Sequence, residues 1–315
     1  MRRLLNVLWL CVGLLAFAAL VIALSFPFLA VNEPVGARVA VVEGWIDIAH
    51  MAGVERMLSE GGYERVYITG TPRNFSYTLR MGDTIVVDLK QPTTGQLTVN
   101  ACGSRPAQIH VLSSTGMLLK DSLNDDCHDR QVGIGEAIQQ LRFTVGHPGF
   151  PDPTWELLFL LYVKIDGVNL HALQRKVTIQ RDDGRIVSGT PSYADVAAGT
   201  LIDAGFPAER IEPLPTVMLG ESRTWANAQR FAQEARQKGI DKVDVISFGI
   251  HARRSRVAFS TACGSGVEVG IRCIEDPELQ RGRWWRSTLG WLKVIREMVG
   301  IPASYLVAEK VNGHR

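Results

Sequence analysis

The sequence predicts a mixed α/β protein: an N-terminal transmembrane helix, then an α/β domain on a parallel sheet, interrupted by an inserted β-sandwich-like domain. Three observations predict it. No charged residue occurs between Leu4 and Asn32. Strand–helix–strand patterning appears before residue 72 and resumes near Gly189, with short alternating segments between. A Gly-Thr-Pro stands at both edges of that interruption, in ITGTPR (Ile68–Arg73) and VSGTPSYAD (Val187–Asp195). The boundaries that follow are 1–32 for the anchor, 37–72 and 187–315 for the two parts of the α/β domain, and 73–186 for the insert.

The first element is VLWLCVGLLAFAALVIAL (Val7–Leu24), 18 residues without a strongly polar side chain. That length suits a membrane helix. Arg2 and Arg3 precede it, and flanking positive charge stays cytoplasmic, so the bulk of the chain is expected outside the cytoplasm. A cleaved signal peptide competes with this reading, but Ser25–Val31 makes a poor cleavage site. The 34 Lys and Arg against 32 Asp and Glu leave a net charge of +2. Nucleic-acid binders show a strong basic excess, so no nucleic-acid partner is expected.

Ala37–Trp45 is a continuous apolar run suited to a strand buried on both faces. Ile48, Met51, Ala52, Met57 and Leu58 follow at helical spacing, and Arg65–Gly70 is a second strand. In the insert, Phe75–Ala101 alternates apolar and polar residues, broken by Met81-Gly82-Asp83 and Thr93-Thr94-Gly95. Leu157–Gly167 is a longer apolar strand. Short strands with such punctuation predict an antiparallel sandwich.

After Gly189 the rhythm returns. Tyr193, Val196, Ala197, Leu201 and Ala204 stripe a helix, and Glu209–Pro215 is a strand. Trp225, Ala228, Phe231, Ala232 and Ala235 stripe the next helix. Lys242–Phe248 is a strand, a helix follows His251, and Val267–Ile274 is the last strand. Trp285, Leu289, Leu292, Ile295 and Val299 line a final helix, ended by Gly300-Ile301-Pro302. Trp284, Trp285 and Trp291 fit either a core or a membrane interface. The cysteines outside the anchor fall as Cys102 with Cys127 and Cys263 with Cys273, either disulfides or buried thiols. No C-x-x-C occurs, which argues against a zinc or redox motif.

Ligands of parallel sheets bind at the carboxyl edge, and the inserted domain would stand beside that edge. SFGIHARRSR (Ser247–Arg256) begins there, where a strand hands over to a helix. Free N–H groups at a helix N-terminus favour anions, so cations there suit a bound anion. His251 and Arg254 share a face, with Arg253 on another. The functional reading is a phosphate, carboxylate or sulfate held by Arg254 and Arg253, with His251 as acid or base. The plain alternative is a solvated basic face. In GESRTWANAQ (Gly220–Gln229), Thr224 and Asn227 would orient a ligand, unless they only cap the helix. Glu43 and Asp47 supply a second acid/base or a turn, and Gly44 permits close approach of the backbone. No G-x-G-x-x-G follows the first strand, against a dinucleotide cofactor. In the insert, Asp125, Asp126, His128 and Asp129 form either a calcium loop or an acidic surface. Phe150 and Trp155 would stack on a sugar or pack in a core.

Thr224–Ala228 (TWANA), Ile246–Phe259 (ISFGIHARRSRVAF) and Pro191–Ile211 (PSYADVAAGTLIDAGFPAERI) together resemble the motifs of the SanA/ElyC/YdcF-like envelope proteins. The resemblance covers residues 37–72 and 187–305. It implies a Rossmann-like sheet with helices on both faces. It also implies an inner-membrane, single-pass protein with its bulk in the periplasm and a role in peptidoglycan-related processes. It supplies no established reaction. Two departures stand out: Tyr193 replaces the family's Glu, and the first loop reads Glu43-Gly44-Trp45. A reaction that used that Glu is lost here or moved to Glu43 or Asp195. The expected function is binding of an anionic cell-wall or lipid-linked sugar precursor, with hydrolysis or transfer. The rival expectation is a non-enzymatic scaffold whose insert binds glycan or a partner protein.

Overall fold

The computed structural model describes residues 2–104, 107–146, 156–216 and 222–312. The proposed stacking residues Phe150 and Trp155 lie outside them. In chain order the elements are α1 (Arg2–Leu29), β1 (Val39–Glu43), α2 (Met51–Gly61), β2 (Arg65–Gly70), β3 (Tyr77–Arg80), β4 (Thr84–Gly103), β5 (Gln108–Ser113), β6 (Gly116–Ser122), β7 (His128–Gly146), β8 (Glu156–Ile165) and β9 (Val168–Asn169). There follow the short α3 (Leu170–Leu173), β10 (Gln174–Gln180), β11 (Ile186–Ser188), α4 (Tyr193–Asp203), β12 (Ile211–Pro215), α5 (Arg223–Lys238), β13 (Lys242–Phe248), α6 (Ala252–Cys263), β14 (Glu268–Ile274) and α7 (Thr288–Asn312). They form two compact units: Met1–Thr71 with Ser192–Arg315, and Pro72–Pro191.

The first unit is a five-stranded parallel sheet ordered β12-β2-β1-β13-β14. Alternate strand residues feed two cores. Val41, Val243 and Val245 meet Trp225 and Phe231 of α5 and Phe259 of α6. Ala40, Val42 and Ile246 meet Val54 and Leu58 of α2 and Leu201 of α4. Helices therefore cover both faces, which is why these strands carry continuous apolar runs. Each fully buried side chain of this size contributes about 1.5–3 kcal/mol. The chain enters β1 over a buried carboxylate. Asp244 accepts from Val35 N at 2.7 Å, Ala37 N at 3.3 Å and Tyr63 OH at 3.0 Å. Burial, and then Asp244, push the Tyr63 hydroxyl pKa up.

In α1, Val12–Leu29 is long and apolar enough to cross a membrane. Its final turns pack with Ile250, Leu279, Trp284 and Val294. α7 departs from the expected stop: it runs on through Pro302 to Asn312. The expected apolar stripe of this helix is also not core. Leu289, Leu292, Ile295 and Val299 are each more than half exposed, whereas Val294 and Glu297 are buried.

The second unit is one curled antiparallel sheet rather than two stacked ones. Its strands run β11-β10-β4-β7-β5-β6, with β8 on β4 and β3 and β9 on β8. β4 pairs with β10 through its first half and with β8 through its second, while β7 follows it along both. The turn expected at Thr93-Thr94-Gly95 is an irregularity inside β4, where Gly95 takes φ +129°. A glycine there lets a long strand bend without breaking. Phe75, Phe143 and Leu79 are among the fully buried side chains inside the curl. The unit's ends meet: Arg73 N donates to Pro191 O at 3.1 Å.

Cys102 and Cys127 form a disulfide. Cys263 and Cys273 are free thiols, the other of the two alternatives. Cys263 ends α6 in the core, and Cys273 sits on β14 with its thiol donating to Gly249 O at 3.2 Å. Of the two readings of Asp125, Asp126, His128 and Asp129, the geometry gives the calcium loop no support. Asp129 accepts from Asn100 Nδ2 at 2.7 Å and Tyr162 OH at 2.6 Å. Among the described residues no group of three His, Cys, Asp or Glu is arranged to hold a metal.

Candidate functional site

β13 ends at the carboxyl edge of the parallel sheet, and a tight turn, Gly249–His251, hands the chain to α6. Gly249 takes φ +53°, and a Cβ there would lie 3.0 Å from that of Asp276. This turn delivers His251 to a cavity of about 410 Å³. Thr224 reaches it from the first turn of α5, which Ser222 caps by accepting from Trp225 N at 3.3 Å. Trp45 closes another side, its ring edge-on to His251 with centroids 4.8 Å apart.

The fourth contributor was not foreseen. Glu297 of α7 lies with its Oε2 3.0 Å from His251 Nδ1 and 2.8 Å from Arg254 Nε. Its Oε1 accepts from Arg254 Nη2 at 3.2 Å. The Nε contact is an ion pair but not an aligned hydrogen bond, since Arg254 Nε–H finds no acceptor in line. Burial pushes the Glu297 pKa up. The hydrogen bond and charge of His251, with the charges of Arg254 and Arg296, outweigh burial and hold it below the ordinary value.

His251 Nδ1 also lies 2.9 Å from Arg254 Nη2, and Nε2 lies 3.2 Å from Thr224 Oγ1. Nδ1 cannot both donate to Glu297 and accept from Arg254. The Nδ1–H tautomer sets a donor against the carboxylate and leaves Nε2 to accept from the Thr224 hydroxyl. Thr224, His251 and Glu297 thus form a line of hydroxyl, imidazole and carboxylate. That order orients an imidazole whose Nε2 lone pair can take a proton and later return it. Four cations line the cavity, Arg223, Arg254, Lys293 and Arg296, against two carboxylates, Asp276 and Glu297. Lys293 Nζ lies 3.5 Å from Asp276 Oδ2. The surplus is cationic, as an anion site requires.

Of the residues expected at the site, His251, Arg254 and Thr224 line the cavity and the others do not. Glu43 is fully buried and accepts from the hydroxyls of Ser247 and Ser255 at 2.6 Å each. Its Oε1 has no hydrogen-bond partner among the described residues. Asn227 is buried against Thr216, whose hydroxyl donates to its Oδ1 at 2.9 Å. Arg253 turns away, donating from Nε to Phe28 O at 2.8 Å with its guanidinium over the Phe28 ring. Gly44 is packed: its N–H donates to Thr69 O at 2.7 Å, and a Cβ would meet the Tyr193 carbonyl oxygen at 2.8 Å. Asp47 accepts from Ala49 N at 2.9 Å, and Asp195 closes a capping box with Ser192. Both carboxylates are spent on helix starts. Gly220 and Glu221 lie outside the described residues.

No signal in the sequence pointed to Glu297. It sits 46 residues from His251, on a helix that the sequence marks only by its apolar stripe. The protein-family models compared with the chain give no match, and neither do the curated proteins.

Proposed function

We propose that the chain is a membrane-anchored envelope protein of Rossmann-like fold. In this reading the cavity at His251 takes an anionic cell-wall or lipid-linked sugar precursor and hydrolyses it or transfers part of it. The observation that carries the reading is the line Thr224–His251–Glu297 beside a cationic surplus. Arg254, Lys293 and Arg296 would hold the anion. His251, oriented by Glu297, would exchange the proton at Nε2. The Thr224 hydroxyl, 3.2 Å from Nε2, would give way to a ligand hydroxyl or water. The strand order supports the fold: counted within the unit it is 3-2-1-4-5, the doubly wound arrangement. In such sheets the connections from the first and fourth strands leave in opposite directions and open a crevice at their carboxyl ends. β1 and β13 are those strands, and Trp45 and His251 follow them.

The test is a thermal-shift screen of the detergent-solubilised full chain against sugar phosphates, undecaprenyl-type headgroups, nucleotides and muropeptides. A ligand at 100 times its Kd stabilises by about 2.7 kcal/mol. Stabilisation by one anionic class, lost in Arg254→Ala and retained in Arg253→Ala, is the expected outcome. A shift by neutral glycans alone, untouched by Arg254→Ala, would sink the reading and move binding to the antiparallel unit.

A further inference from the structure

The exposed stripe of α7 is the largest feature the site does not use. An α-helix places residues three and four apart on one face. Gly290, Val294, Glu297 and Ile301 fall on the face turned to the protein. Leu289, Leu292, Ile295 and Val299 fall on the opposite face, each more than half exposed, with Met298 beside them at 42%. Four large aliphatic side chains in one row have no partner within the described chain. Such a row marks a contact surface.

Three observations say what covers it. First, α7 packs against the end of the apolar helix. Ile22, Phe26, Leu29 and Ala30 of the α1 region share one cluster with Trp291, Val294 and Ile301. Ile22 lies seven residues inside a stretch that ends at Leu29. At 1.5 Å per residue, α7 therefore meets α1 within about 10 Å of its exit from the apolar layer. That is the depth at which interfacial helices lie. Second, cations outnumber carboxylates around the stripe. Arg296 and Lys293 border it, the latter also within ion-pair reach of Asp276 and Glu278, and Arg281, Arg283 and Arg286 are exposed just before the helix. From Gln280 to Gly300 the one acidic residue is Glu297, which is buried. Third, tryptophans stand at its start. Trp285 is 40% exposed beneath the Arg286 guanidinium, and Trp291 Nε1 donates to Trp285 O at 2.9 Å. Amphipathic aromatic rings and a basic margin beside an aliphatic face are what a lipid headgroup layer accepts.

We propose that α7 is an interfacial helix whose Leu289–Val299 stripe lies on the surface of the bilayer that α1 enters, with its basic margin on anionic lipid phosphates. The proposal rests on α1 as a membrane span and not on the ligand assigned to the cavity. It has a consequence for access. Lys293 and Arg296 belong both to the margin and to the lining of the His251 cavity. The rim of that cavity is then held at headgroup level, within reach of a phosphate carried by a lipid.

Site-directed fluorescence on the full chain tests this. Cys11, Cys263 and Cys273 are replaced by Ala, and single cysteines are placed at Leu292, Ile295, Leu20 in α1, and Asp203, an exposed position on α4. Each is labelled with an environment-sensitive fluorophore and reconstituted into phosphatidylcholine–phosphatidylglycerol vesicles with nitroxide-bearing acyl chains. The expected result is blue-shifted emission and nitroxide quenching at Leu292→Cys and Ile295→Cys, as at Leu20→Cys, with neither at Asp203→Cys. Quenching at position 20 without quenching at 292 and 295 overturns the interfacial helix while leaving α1 in the membrane. No quenching at position 20 overturns the span and the proposal with it. A blue shift at 292 that nitroxide lipids do not quench, with cross-links between copies through that cysteine, overturns it in favour of a second copy on the stripe.

Discussion

Glu297→Gln is the most informative single change. Gln keeps the volume and removes the charge, so the loss reports electrostatics rather than a void. The carboxylate holds Arg254 through an ion pair at 2.8 Å and a hydrogen bond at 3.2 Å, and His251 at 3.0 Å. The Glu297, His251 and Arg254 side chains are 9%, 11% and 17% exposed. Removing one partner of a buried pair costs about 3–5 kcal/mol, and the cavity leaves Arg254 access to solvent, so the low end, about 3 kcal/mol, applies. In a unit of about 200 residues each kcal/mol lowers Tm by about 2–4 °C, so the melting of this unit should fall by about 6–12 °C. The assay is calorimetry of the full chain in detergent across a pH series. Because the folded pKa of Glu297 lies below its ordinary 4.5, protons bind the unfolded state more readily. The wild type keeps this stabilisation above pH 4.5 and loses it as pH falls through the lower folded value. The gap between wild type and variant should therefore narrow below pH 4.5. A gap under about 1 kcal/mol at neutral pH, the size of an exposed pair, would refute the buried-pair argument. So would a gap that does not change with acid.

Two further outcomes follow from other buried groups. Burial, and then the charge of Arg73, lower the His171 pKa from 6.5 to about 4, so protonation favours the unfolded state. The antiparallel unit should lose stability as pH falls from 6.5 towards 4, by an amount on the order of 3 kcal/mol, and His171→Gln should flatten that slope in urea titrations. Burial pushes the Cys263 and Cys273 thiols up to about 12 and about 11. Both should resist alkylation at mildly alkaline pH in the native chain and react on unfolding; rapid native labelling of either would contradict their burial.

The parallel sheet was legible because its strands are buried on both faces. ARVAVVEGW and KVDVISF carry no alternation to confuse with a helix, and Gly62 and Gly239 end α2 and α5 in left-handed conformation. His251, Arg254 and Thr224 were named from their place at strand-to-helix handovers and line the cavity, but the same rule also picked out Glu43, Asp47, Asn227 and Arg253, which hold the fold together. Two parts were not legible. Periodicity identifies a helix face but not what the face meets, so the Leu289–Val299 row marked the helix without showing that the reverse face buries Glu297. Local punctuation identifies flexible backbone but not whether a partner strand holds it straight. Thr93-Thr94-Gly95 read as a turn, yet β7 runs alongside and keeps β4 extended. Arg253 and Arg254 are adjacent in sequence and separated by function, because 100° of helix rotation sends one to Phe28 O and the other to Glu297.

The meeting of Arg73 and Pro191 bears on the order in which the chain folds. β1 must pair with β13, and Val41 lies opposite Val245. Roughly 120 residues of the intervening chain belong to the antiparallel unit. Closing so long a loop as open coil, rather than a tight one of a few residues, costs roughly 3 kcal/mol more, at about 0.6 kcal/mol per doubling. Once that unit has folded, its two ends lie a hydrogen bond apart, and the sheet experiences it as a short connection. Synthesis delivers the antiparallel strands and the Cys102–Cys127 pair before β12, β13 and β14 exist. The chain is thus arranged so that a segment emerging earlier removes the entropic barrier facing the strands that emerge last.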